Sequence, residues 1–275
     1  MRRFVLFACL TAGLAPVFAG GPIPFEELFY EGRAVPFYGA ANTTQQEKIL
    51  DAAKKAKLAE RMAQLIQSTT RLRHNLGIEF ISCGEANAFF DPRRSAIVFC
   101  VEMIQLMMSQ ARADTEVAMK WNREEFGRTM DGAIWGIFFH ELGHAVISIN
   151  RVAITGREED VADQFAVYYA VNYMEPRNVT VLLPTIWFFT QLAKSSTLAS
   201  SDQDEIKRLM ANEHSLSEQR IYNLACWALG SNSKRGAFSA NFVGLPVERG
   251  ARCHQEYATL DYGIRSRFKK YFKPQ

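Results

Sequence analysis

Apolar residues recur along this chain in two rhythms, and the rhythm changes near residue 77. Between Thr44 and about Thr70, Ile49, Leu50, Ala53, Leu58, Met62, Leu65 and Ile66 fall on one face of a helix. Thr44-Gln-Gln-Glu47 has capping-box spacing, which predicts where that helix opens. The preceding residues 20–43 hold Pro22, Pro24 and Pro36 and no periodic stripe, so they predict an irregular lead-in. After Gly77, IEFISC (78–83) and SAIVFC (95–100) are short runs rich in β-branched and aromatic residues. The FFDPRR between them carries turn chemistry at Asp91-Pro92. The pair predicts a β-hairpin, or a small sheet with one more strand. VEMIQLMMSQ (101–110) returns to helical spacing, with methionines suited to filling a core.

From about residue 115 the helical rhythm dominates, over 129–149, 158–174, 179–196, 203–212, 215–229 and 247–270. Val179 to Leu192 is strongly apolar. It is short and holds Pro184, so it predicts a buried helix rather than a membrane span. The expected fold class is α+β and predominantly helical, with a small β-sheet and a helical C-terminal half, in a single domain over 44–275.

Composition changes the picture at the N-terminus. Residues 1–19 combine Arg2 and Arg3, an apolar run from Phe4 to Leu14, and Val17 and Ala19 before Gly20. That is the layout of a cleavable signal peptide. The whole chain carries 32 Lys+Arg against 29 Asp+Glu, or +3. Losing Arg2 and Arg3 with the signal leaves +1, which gives no electrostatic basis for a nucleic-acid partner. With 48% hydrophobic and 22% charged residues, global disorder and a polytopic membrane protein are also excluded. Cys9 leaves with the signal, and Cys83, Cys100, Cys226 and Cys253 stay. Four cysteines in an exported chain predict two disulfides, and the local pairing 83–100 and 226–253 is favoured because each pair brackets one supersecondary unit.

The candidate chemistry sits in His140-Glu141-Leu142-Gly143-His144. At i and i+4 on a helix, both imidazoles reach one cation, and Glu141 projects toward the same place. A second helix follows, with Glu159 and Asp163 also at i and i+4 and Ala162 and Ala166 on nearly the same face. Small residues there let the two helices lie close. Glu159 then completes a His₂Glu set for one Zn²⁺ per chain with a position left for water. Asp163 is placed to accept the second ring N–H of a ligand histidine. Thr155 and Glu158 have capping-box spacing, which assigns Glu158 a structural role.

HELGH followed by EDVAD resembles the gluzincin metallopeptidases, whose third ligand is the Glu of an E-x-x-x-D segment. More narrowly, the chain is similar to a bacterial metallopeptidase family of unknown specificity. The matching strings are NAFFDP (87–92), IVFCVE (97–102), FHELGHAVI (139–147), GREEDVADQFA (156–166) and EHSLSEQRIYNLACW (213–227). The resemblance implies a zincin-like metallopeptidase domain, and the signal layout of residues 1–19 makes it an exported, periplasmic or secreted peptidase, expected to act on a peptide or protein substrate.

His214 precedes a helix opened by Ser215-Leu-Ser-Glu218. It is a candidate oxyanion donor, a metal ligand in place of Glu159, or a capping histidine. Ile221, Leu224, Ala225 and Ala228 predict the core face of that helix, and Gly230 suits its C-terminal cap. Arg220 and Asn223 either line the cleft or make ordinary polar contacts. The expected reaction is peptide hydrolysis, with zinc activating a water and Glu141 as general base. A small sheet beside the site offers an edge strand to align an extended substrate. The competing class is a non-catalytic zinc or protein-interaction module on the same fold.

Overall fold

The computed structural model describes residues 30–114, 122–174, 176, 180–195, 217–233 and 235–274. The expected signal peptide (1–19), the helix expected over 203–212, and His214 lie outside the described residues.

The first described element is a strand, β1 (Ala34–Tyr38), inside the segment expected to be irregular. Pro36 hides it in the sequence, yet β1 is an edge strand, where a missing N–H costs no ladder bond. The helix expected from Thr44 to Thr70 is two helices, α1 (Thr44–Lys55) and α2 (Leu58–Thr69). They break at Lys57, whose φ of 52° is left-handed. The capping box also sits one residue earlier than expected, with Thr43 as N-cap and Gln46 at its third helical position. Both registers fit the motif. Gln46 wins because its Oε1 accepts from the Thr43 and Asn42 amides while its Nε2 donates to Glu102.

Three more strands follow: β2 (Leu76–Ile81), β3 (Ala88–Asp91) and β4 (Ala96–Cys100). The sheet order is β1-β2-β4-β3. The two expected strands are therefore not a hairpin: β2 and β4 run parallel, with Ile78 opposite Ile97 and Phe80 opposite Phe99. The hairpin joins β3 to β4, because FFD is itself the third strand. Asp91 Oδ1 accepts from the Arg93 amide at 2.9 Å and makes the turn. The alternative expectation, a small sheet with one more strand, describes this part of the sheet.

Helix α3 (Val101–Ala113) leaves β4 directly. Then comes α4 (Arg123–Asn150), opened by a capping box in which Asn122 accepts from the amides of Glu124 and Glu125. It is the one described helix long and apolar enough to cross a bilayer, but 89% of that stretch is buried within the molecule. It is a central core helix, apolar nearly all round. Helix α5 (Glu158–Tyr169) runs into a π-helical turn over Ala170–Met174. The remaining helices are α6 (Leu182–Ser195), α7 (Ser217–Gly230), α8 (Gly236–Phe242), α9 (Val247–Gly250) and α10 (Cys253–Phe268), with a 3₁₀ turn at Lys269–Tyr271. The fold is α+β and predominantly helical, with one small sheet.

Glycine decides how closely α4 is approached. A side chain at Gly136 would overlap the hydroxyl of Thr185 on α6. A Cβ at Gly143 would lie 3.0 Å from the Ala162 Cα on α5. Gly230 ends α7 inside the helix rather than capping it, and a side chain there would meet the Cys253 carbonyl. Ile221, Leu224, Ala225 and Ala228 are buried as expected. Disulfides join Cys83 to Cys100 and Cys226 to Cys253, with Cα separations of 5.4 and 5.0 Å.

Candidate metal centre

Helices α4 and α5 meet at Gly143 and Ala162, and this contact brings the charged residues of both helices together. His140 and His144 share a face of α4, with their Nε2 atoms 3.3 Å apart. From α5, Glu159 Oε2 lies 3.1 Å from His140 Nε2, and Oε1 lies 3.4 Å from His144 Nε2. Ligands at about 2.0–2.1 Å from a tetrahedral zinc ion stand about 3.3 Å from one another. Two imidazole nitrogens, with one carboxylate oxygen beside each, stand at separations that fit such an ion.

The other ring nitrogens are held as well. His140 Nδ1 donates to Asp163 Oδ1 at 2.8 Å, and His144 Nδ1 donates to Glu158 Oε1 at 2.8 Å. An ionised carboxylate only accepts, so each Nδ1 carries a hydrogen and each Nε2 is the nitrogen available to a cation. The capping role expected of Glu158 does not occur. The helix starts at Glu158 with Arg157 as N-cap and no side-chain cap bond, which leaves Thr155 two residues short.

Arg220 on α7 completes this arrangement. Its Nε and Nη2 donate to Asp163 Oδ2 and Oδ1 at 2.8 and 2.6 Å, and its guanidinium stacks 4.3 Å from the Phe189 ring centroid. Its sequence signal is a charge on a core stripe, four residues before Leu224 and seven before Trp227. Asn223, the other residue noted beside it, accepts from Arg249 at 2.9 Å.

Burial alone would raise the Asp163 carboxyl, but Arg220 and then His140 outweigh it and hold that carboxyl well below the usual range. Burial would likewise lower His140. The Asp163 carboxylate overrides this, helped by Glu159 and Glu141, and His140 is pushed up to about 9. Glu141 is 7% exposed, and burial raises its carboxyl against the pull of the two histidines. Its Oε2 accepts from the Phe90 amide of β3 at 2.9 Å. Sequence reasoning had no means to find Phe90, since the contact depends on β3 lying at the sheet edge.

Glu141, His144, Glu158 and Glu159 open on a cleft of about 810 Å³, whose other wall is Ala88, Phe89 and Phe90 of β3. The Cys100 amide donates to the Asn87 carbonyl. By the alternation of an antiparallel ladder, the main chain of Ala88 and Phe90 therefore faces away from β4.

A family model described as "Putative metallopeptidase" matches residues 38–263. No curated protein and no solved structure matches.

Proposed function

We propose, on the premise that the chain belongs to this metallopeptidase family, that it is an exported zinc-dependent peptidase of gluzincin type on a zincin-like domain. The observation that carries this reading is the His140–His144–Glu159 donor triangle with a buried carboxylate, Glu141, opening on the same cleft. Zinc would supply Lewis acidity and a lowered pKa for a water in the cleft. Glu141, whose proton affinity burial raises, takes a proton from the attacking water and returns it to the leaving amine. Asp163 and Glu158 fix the two imidazoles, and Arg220 fixes Asp163. The outward Ala88 and Phe90 carbonyls of β3, whose amides are held by Asn87 and Glu141, offer an extended substrate hydrogen bonds that ignore side-chain identity, so selectivity is modest. His214, three residues before α7 in the sequence, is the candidate donor to the oxyanion. Two disulfides and the signal layout of residues 1–19 support export.

The test is a peptide-library digest by the zinc-loaded chain and by Glu141→Gln, with metal content measured on both. The variant should keep one zinc and lose roughly 10²–10⁴ in rate. Undiminished hydrolysis with zinc bound would sink the mechanism.

A further inference from the structure

A second cleft, of about 1130 Å³, opens between α10 with the segment that follows it and the loop after α4. Seven of its lining side chains are Lys or Arg and, among the described residues, none is Asp or Glu. The whole chain has a cation excess of only three, so this concentration is local. Some of these cations are engaged. Arg265 pairs with Asp261 at 2.9 Å, and Lys273 Nζ donates to the Gln67 carbonyl at 2.6 Å. Lys270 sits 4.9 Å over the Tyr271 ring. Arg151, Arg267 and Lys269 are exposed and have no carboxylate partner among the described residues.

The floor beneath them is aromatic. The rings of Tyr168, Tyr173 and Phe272 pack at centroid distances of 5.5 to 6.4 Å. Tyr173 belongs to the π-helical turn, a local irregularity that recurs at functional sites. Like charges held around one opening repel, and a low-dielectric wall focuses their field. Such an arrangement weakens the free protein and gains from a multiply charged anion. A single carboxylate would neutralise one cation. A phosphate group brings up to two charges and three acceptor oxygens, which suit both the Arg fork and the Lys ammonium. The volume lies just above the range of small-ligand pockets, about 300–1,000 Å³, so it admits several linked phosphates.

We propose that this cleft binds a soluble oligophosphate. The inference is independent of the peptidase reading. The probe is sodium tripolyphosphate, titrated calorimetrically into the full chain at low salt. Wild type should bind, with affinity falling as salt is raised. Arg267→Glu with Lys269→Glu should weaken binding by roughly tenfold or more. Lys54→Glu with Lys55→Glu, an equal charge change on α1, should leave it within about twofold. The milder Arg267→Gln with Lys269→Gln replaces the reversal if its melting temperature falls. Equal loss in the α1 control would reduce the effect to overall charge and overturn the proposal. So would the absence of any binding heat in wild type, or sedimentation with phosphatidylglycerol vesicles without tripolyphosphate binding.

Discussion

Residue by residue, this site is built as pairs, each of which fixes the next. Removing Asp163 or Glu158 leaves the three donors in place but frees a ring to rotate. Asp163→Asn and Glu158→Gln should therefore each weaken zinc binding about 10–100-fold, read by competition with a chelator. Arg220→Met is a different loss, because it strands a buried carboxylate. It should cost about 3–5 kcal/mol in denaturant unfolding of the metal-free chain. The same pair sets a pH dependence. Asp163 is depressed when folded, whereas the unfolded chain takes up its proton at about pH 3.9. The stability it confers is present above that pH and lost below it. Arg220→Met should flatten the stability curve on the acid side, and an unchanged slope would contradict the pairing. His140, Glu141, His144, Glu159 and Asp163 stood out in the sequence because i,i+4 spacing is a local property. Glu158 misled because Thr155 satisfies a capping pattern at a position where the helix has not begun.

At the scale of elements, the separation of α4 and α5 sets the ligand triangle. Gly143→Val would push β-branched bulk against Ala162 and Phe165. It should destabilise the fold by about 1–3 kcal/mol and reduce zinc affinity together, measured by melting and by metal titration. Loss of stability with zinc affinity intact would mean that helix spacing does not tune the site. Most helices were legible from periodicity, but α8 was not expected, and α1 with α2 and α9 with α10 were each expected as one helix. Sheet order was not, since the parallel pairing of β2 with β4 depends on β3 lying outside them. A local turn signal at Asp91-Pro92 marks a hairpin without saying which earlier strand enters it.

Across the whole molecule, two disulfides tie segments that the core alone would leave to packing. Cys83–Cys100 closes 17 residues of sequence around the edge strand, and Cys226–Cys253 closes 27 around α8 and α9. Replacing either pair by alanine should lower the unfolding free energy by about 3 kcal/mol, seen as a shift in the denaturant midpoint. Here the cysteine count and the bracketing of local units were enough to name the pairs.

The spans of the site's bonds along the chain set an order of assembly. His140 reaches Glu159 across 19 positions and Asp163 across 23. The Phe90 amide reaches Glu141 across 51, and Arg220 reaches Asp163 across 57. Short loops close at lower entropic cost than long ones. The donor triangle can thus form in a chain that has folded little more than two neighbouring helices. The groups that hold the base and fix Asp163 arrive later, from either side of the site along the sequence. Capture of an ion reports local folding, while competence for chemistry reports the completed topology.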